Sequence, residues 1–144
     1  MRYWPALVVA LLLASCSAPK TNPEAAAQDS SAARTQAIPD AKPELYGKMK
    51  DMKNWRNPYL IIRKDAVGLL DVNDNEEITL KPEEVTKALA DLPPSAWPYG
   101  RVVAVQALEG AASEPDKAEI RRTKGIVAGT LEELRVVIHW VPSA

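Results

Sequence analysis

Cysteine, histidine and phenylalanine are almost or wholly missing from this 144-residue chain, which has one cysteine, one histidine and no phenylalanine. A lone thiol cannot close an internal disulfide, so a disulfide-held fold is excluded. Charge of one sign is not in excess either, because 18 lysines and arginines stand against 19 acidic residues. Net charge therefore points neither to nucleic acid nor to an anionic surface as a partner.

Long hydrophobic runs are missing as well. The apolar run at residues 6–13 is too short to cross a bilayer, which needs about 20 apolar residues. Arg2 precedes this run, and two small residues and Cys16 follow it. A basic start, a short apolar run and a small-residue cleavage site are typical of secretory signal peptides. We therefore expect residues 1–15 to be a signal peptide.

The residues before the cysteine, Leu13-Ala14-Ser15-Cys16, resemble the lipobox of bacterial lipoproteins. The resemblance implies cleavage before Cys16, diacylation of its thiol and acylation of the new amino group. Two or three acyl chains hold a protein stably on a membrane, whereas one chain holds it only marginally. In lipoproteins of envelopes with two membranes, an aspartate after the cysteine favours retention in the inner membrane. Ser17 stands at that position, so the resemblance implies the outer membrane, with the domain facing the periplasm.

The mature chain divides into a tether and a small domain. Residues 17–43 are rich in Ala, Ser, Pro and Gln, and Ile38 is their only large apolar residue. Such a segment buries too little surface to offset its ordering entropy. The acylated cysteine and a flexible tether are thus predicted at residues 16–43, and one α+β domain at residues 44–144.

Hydrophobic periodicity predicts alternating strands and helices in that domain. Short apolar runs bounded by polar turns indicate strands, and the spacing around Val85 and Leu89 indicates a helix. The predicted strands are residues 58–63, 67–72, 102–105 and 135–141, the predicted helices are residues 82–92 and 113–134, and residues 78–80 are left open as a short third segment. The order β-β-α-β-α-β favours a mixed sheet with two helices on one face, a two-layer α+β sandwich.

Residues 59–92 run through a strand, the turn Lys64-Asp65, a strand, a polar turn, a short apolar segment and a helix opening with Lys-Pro-Glu-Glu. This order resembles the periplasmic domain of the ExbD/TolR family, and the later strand-helix-strand continues it. The resemblance implies a fold that dimerises or docks onto envelope proteins. That family has a transmembrane helix with an embedded acidic residue, whereas residues 6–13 contain no carboxylate, so a proton-coupled role is not carried over.

Trp97 and Tyr99 are the candidate binding residues, in the loop Trp97-Pro98-Tyr99-Gly100. Two aromatic rings in a proline-stiffened loop offer a large rigid contact area at low entropic cost. They suit a protein partner or, alternatively, a small ligand or a cell-wall glycan. A hydrophobic plug that closes the end of the sheet is the other interpretation of the same residues.

Metal-binding motifs are incomplete. Asp71, Asn73 and Asn75 match the opening of a calcium loop, but Glu76 stands where that loop needs glycine and Pro82 replaces its bidentate glutamate. A solvated hairpin turn explains the same residues, and whether the loop at residues 71–76 binds an ion stays open.

The sequence contains no recognisable set of catalytic residues. His139 alternates with Val136, Ile138 and Trp140 on the last strand, so we expect it on the solvent side. No nucleophile elbow, zinc-protease motif or glycine-rich phosphate loop is present. The sequence therefore predicts no enzyme, no metal and no cofactor, but a membrane-tethered envelope lipoprotein that binds protein.

Overall fold

A computed structural model describes residues 22–49, 51–71 and 75–143 of the chain. The predicted signal peptide at residues 1–15 and the predicted acylation of Cys16 lie outside the described residues, as does Asn73 of the calcium-like loop. None of the helices in the described ranges has the length and apolar character needed to cross a membrane.

The helices are α1 Pro23–Gln36, α2 Pro43–Tyr46, α3 Val85–Asp91 and α4 Glu114–Glu133, with 3-10 turns at Met52–Asn54, Pro82–Glu84 and Pro94–Ala96. The strands are β1 Tyr59–Ile62, β2 Val67–Asp71, β3 Glu76–Leu80, β4 Val102–Ala107 and β5 Val137–Val141.

The five strands form one mixed sheet in the order β3-β2-β1-β4-β5. β1 pairs antiparallel with β2, and β2 antiparallel with β3. β1 pairs parallel with β4, and β4 parallel with β5, so that α4 is the crossover between two parallel neighbours. The prediction of an α+β fold with a mixed sheet is confirmed.

The predicted order of elements is wrong at one point, because Glu76–Leu80 forms a third strand that the order omitted. β3 lies at an edge of the sheet, and four of its five side chains are exposed. An edge strand with both faces in water has no alternation of buried and polar residues, which is the signal that identifies a strand in a sequence. The order after residue 44 is therefore β-β-β-α-β-α-β, preceded by short helix α2.

The helix after β4 agrees with its prediction. Ser113 is the N-cap of α4, and its hydroxyl accepts a hydrogen bond from the backbone N–H of Asp116 at 3.4 Å. α4 continues through Gly129, and beyond the neighbouring residues and backbone of the helix no atom lies within 4 Å of the place a Cβ would take there. The helix ends before Arg135, which has a positive φ of 56°, and β5 begins two residues later than predicted.

The flexible tether predicted up to residue 43 is wrong for residues 23–36, which form α1. Asn22 caps this helix by accepting a hydrogen bond from the N–H of Glu24, and Pro23 occupies its first turn. The alanines that argued against a core are the best helix formers. α1 packs on α3 and buries Ser31 and Thr35, so small side chains form a contact that a search for large apolar residues misses.

Buried side chains lie on both faces of the sheet. On one face, Leu60, Ile62 and Val105 share a cluster with residues of α3 and α4. On the other face, Tyr46 and Trp55 cover part of β4 at Val102 and Ala104. The segment before β1 thus packs across the sheet from the long helix.

Candidate functional site

Trp97 lies in the core and does not present its ring to solvent. The residue is 5% exposed and belongs to the cluster that packs between the sheet and the helices. Its indole Nε1 is buried, and no hydrogen-bond acceptor for it lies among the described residues. The plug interpretation therefore describes Trp97, which offers no contact surface in this arrangement.

Tyr99 is half-buried and held by its backbone. Its N–H donates to Oδ1 of Asn57 at 2.8 Å, and its carbonyl accepts from the N–H of Lys42 at 2.9 Å. The phenol donates to the carbonyl of Asn54 at 3.0 Å. The loop that carries the two candidate residues is therefore a structural junction, with part of the Tyr99 ring still accessible.

Asn57 is the buried polar residue that fixes this junction, and it is not among the candidate residues predicted from the sequence. The residue is fully buried, and its Nδ2 donates to the carbonyls of Gly100 and Val102 at 2.7 and 2.8 Å. Together with the bond from Tyr99, these use one acceptor and both donors of the amide. A single asparagine next to a predicted strand gives no sequence signal of this role.

Arg101 joins the end of α1 and the segment that follows it to the segment before β5. Its guanidinium donates to the carbonyls of Gln36 and Arg135, both at 2.9 Å, and to Oδ1 of Asp40 at 2.6 Å. The adjacent Gly100 has a φ of 78°, and a Cβ there would collide with the carbonyl of Asp40. The N-terminal segment is therefore clamped against the start of β4.

An aromatic cluster covers part of the other face of the sheet and includes the only histidine. The His139 ring stacks on Trp55, with centroids 5.1 Å apart and planes 19° apart, and meets Tyr46 edge-on at 5.8 Å. His139 was expected on the solvent side, but these rings leave it half-buried. Burial, and then the charge of Glu44, raise the pKa of the Tyr46 phenol. Burial likewise raises the pKa of Tyr59.

Exposed apolar side chains occur on β5, the strand at the other edge of the sheet. Val137 is 45% exposed and Trp140 is 44% exposed. The ammonium of Lys124 on α4 lies 4.7 Å from the centroid of the Trp140 ring. β5 contains no lysine, arginine, aspartate or glutamate, so this edge presents a strand of apolar and aromatic character to solvent.

An open groove of about 670 Å³ runs beside β3 and α3 between Ile78 and Leu92. Its rim carries the ion pair of Lys87 and Asp91, at 2.5 Å. Within the described ranges, no three His, Cys, Asp or Glu side chains cluster closely enough to hold a metal ion.

Comparisons with protein-family models, with curated proteins and with solved structures find no match to this chain. The resemblance to lipoproteins at Cys16 and the resemblance to the ExbD/TolR domain therefore stay predictions from the sequence.

Proposed function

We propose that this chain is a lipid-anchored lipoprotein of the cell envelope whose domain acts by binding another protein, without catalysis. The observation that carries the binding role is the outer edge of β5, where Val137 and Trp140 are exposed. Strand edges with apolar side chains and no blocking charge are suited to pairing with another chain. This edge replaces the loop of Trp97 and Tyr99 as the principal contact.

The anchor is proposed at Cys16 on the sequence alone. Its support is the basic start, the apolar run and the two small residues before the cysteine. Acylation there would attach the chain to a membrane, and Ser17 at the following position favours the outer membrane facing the periplasm. The acyl chains are the membrane contact, and no nucleic acid is among the proposed partners.

We further propose that the two main helices of the domain, α3 and α4, form one layer on one face of the sheet, as in a two-layer sandwich. Support comes from the shared cluster of β1, β2 and β4 residues with Val85 and Leu89 of α3 and with Ile120 and Val127 of α4. α1 packs on α3. The other face stays partly accessible beyond the aromatic cluster, and the edges of the sheet stay accessible too.

Protein binding is better supported than the alternative of a small-ligand or glycan site. Glycan binding relied on Trp97 and Tyr99 as stacking platforms, but only Tyr99 retains accessible ring surface, and its hydroxyl is used by Asn54. A non-catalytic role is supported by the position of His139, whose ring packs on Trp55 and Tyr46.

The anchor is tested by feeding cells an alkyne-tagged palmitate and separating their membranes. We expect label on the full chain and none on Cys16→Ser, with Ser17→Ala as the labelled control. The variant Ser17→Asp should move from the outer-membrane to the inner-membrane fraction. Label on Cys16→Ser, or an unlabelled wild type, would contradict the proposal.

The binding role is tested by crosslinking the acylated chain in cells and identifying what co-purifies. We expect one identified protein that is lost when Val137→Lys and Trp140→Lys are introduced together. Ile126→Lys is the matched control, because Ile126 is exposed to the same degree on α4. Equal recovery from the edge variant and the control, or no protein at all, would refute the binding role of β5.

A further inference from the structure

The backbone of β5 alternates between its paired neighbour and the open edge. Val137 is in register with Val102, and its N–H donates to the carbonyl of Arg101 at 3.0 Å. In a parallel ladder, both backbone groups of one residue point to one side and those of the next residue to the other. The N–H and C=O of Ile138 and Trp140 therefore point away from β4, and no described strand pairs with them.

The two edges of the sheet differ in their protection. β3 carries Glu76 and Glu77. Glu77 forms an ion pair with Arg63, and this pair lies over Gly68 of β2, where a Cβ would otherwise stand. Charged side chains are one of the devices that keep edge strands from pairing with other chains. β5 has no such side chain, so it is the edge that remains open to a further strand.

Two cationic side chains near β5, Lys124 and Arg135, form no ion pair with the residues that the structure describes. The ammonium of Lys124 lies against the Trp140 ring, and it forms no ion pair with a described carboxylate. Arg135, two residues before β5, forms none with the residues described either. A carboxylate that reached Lys124 would gain an attractive partner without breaking an ion pair of the described residues.

We infer that β5 binds an extended segment of a partner protein as a sixth strand, and that this segment carries a carboxylate that reaches Lys124. The inference rests on the proposed function and adds the binding mode and the chemistry of the partner. Backbone pairing supplies affinity in such strand addition, and side chains supply specificity. Pro142 lacks an N–H, so the outward ladder stops after Trp140.

Only two residues supply outward backbone groups, so the intrinsic affinity is modest. A lipid anchor near the partner compensates for this, because confinement on one membrane raises the effective concentration of the two proteins. Binding by β5 is thus expected in cells with the anchor in place, which is the setting in which it must be tested.

The test uses the full acylated chain in cells, with the photo-crosslinking residue benzoylphenylalanine in place of Val137. Two variants at Trp140 are compared in this background. Trp140→Val keeps the outward N–H and removes the indole, whereas Trp140→Pro removes the same indole and also the N–H. Proline is tolerated at an edge where its missing N–H would face solvent, and the strand conformation of His139 is compatible with a following proline.

We expect the crosslink to one identified protein to fall about tenfold further in Trp140→Pro than in Trp140→Val, because one backbone hydrogen bond is lost and its acceptor is left unsatisfied. Lys124→Glu should reduce the same crosslink while Lys124→Arg retains it. The crosslinked peptide of the partner should contain aspartate or glutamate. Protein amounts in the membrane fraction and thermal unfolding of each variant control for folding.

Two results separate the inference from the proposed function. A crosslink of equal strength in Trp140→Pro and Trp140→Val, or a crosslink obtained only with benzoylphenylalanine at Ile78 or Ile126, would overturn strand addition and leave protein binding standing. If no protein crosslinks from Val137, Ile78 or Ile126 in membrane-attached chain, the binding function itself fails.

Discussion

Replacing Asn57 with alanine should destabilise the domain more than any exposed substitution. The amide of this fully buried residue makes three hydrogen bonds to backbone groups at the start of β4. The carbonyl of Gly100 keeps a second bond, from the N–H of Val102 at 2.8 Å, but the carbonyl of Val102 and the N–H of Tyr99 lose the partner they have in Asn57. A buried group left unsatisfied costs about 1–3 kcal/mol. Because Tyr99 is half-buried and water can reach it, we expect a total loss of about 2–4 kcal/mol.

Urea unfolding followed by tryptophan fluorescence measures this loss. Asn54→Ala is the matched control, because Asn54 is exposed and forms its hydrogen bonds through its backbone N–H and carbonyl, so the substitution should change the free energy of unfolding by less than about 0.5 kcal/mol. Asn57→Asp keeps an acceptor for Tyr99 but places a carboxylate against two carbonyl oxygens, and it should be at least as damaging as alanine. A loss under about 1 kcal/mol for Asn57→Ala would refute the role of this residue as the fixed point of the junction.

Three further changes test other parts of the fold. Gly100→Ala should cost about 2 kcal/mol or more in urea unfolding because of its positive φ and the nearby carbonyl; Gly129→Ala, with open space around it, should be neutral or gain up to about 1 kcal/mol. The hydrogen bond from Lys64 holds the pKa of Asp116 below its ordinary value of 3.8. The charged form therefore favours the fold above about pH 4, and this contribution is lost as the pH falls, so Asp116→Asn should flatten the acid side of a stability profile. Arg101→Lys should speed hydrogen exchange at residues 23–40 but leave the exchange of β1 unchanged. Equal exchange of residues 23–40 in the wild type and the variant would contradict the clamping role of Arg101.

The elements that the sequence predicted well are those with a buried stripe. β1 and β4 are apolar runs that the sheet interior buries, and the buried residues of α4, from Ile120 to Leu131, follow the helical period. In these segments local pattern and tertiary burial agree, so periodicity alone identifies them. In β3 the local pattern carries no sign of burial, because most of its side chains are exposed to water.

The features that the sequence did not reveal depend on partners far away in the chain. Asn57 bonds to residues more than 40 positions later, and Arg101 reaches back more than 60 positions. No local spacing encodes such pairs. The same limit applies to Trp97 and Tyr99, since their aromatic character predicts either a plug or a contact surface, and only the burial of each ring distinguishes the two.

α1 changes how far the proposed anchor lets the domain stand from a membrane. A flexible coil over residues 17–43 would span about 30 Å. With α1 packed on α3, only residues 17–22 separate the helix from Cys16, and six residues span at most about 21 Å when fully extended. α1 buries few side chains, and its ion pair from Arg34 to Asp91 is exposed, so such a helix is expected to open locally at lower cost than the core. With the proposed anchor in place, the height of β5 above a membrane would depend on the docking equilibrium of α1, and the hydrogen exchange of residues 23–40 measures how readily α1 opens.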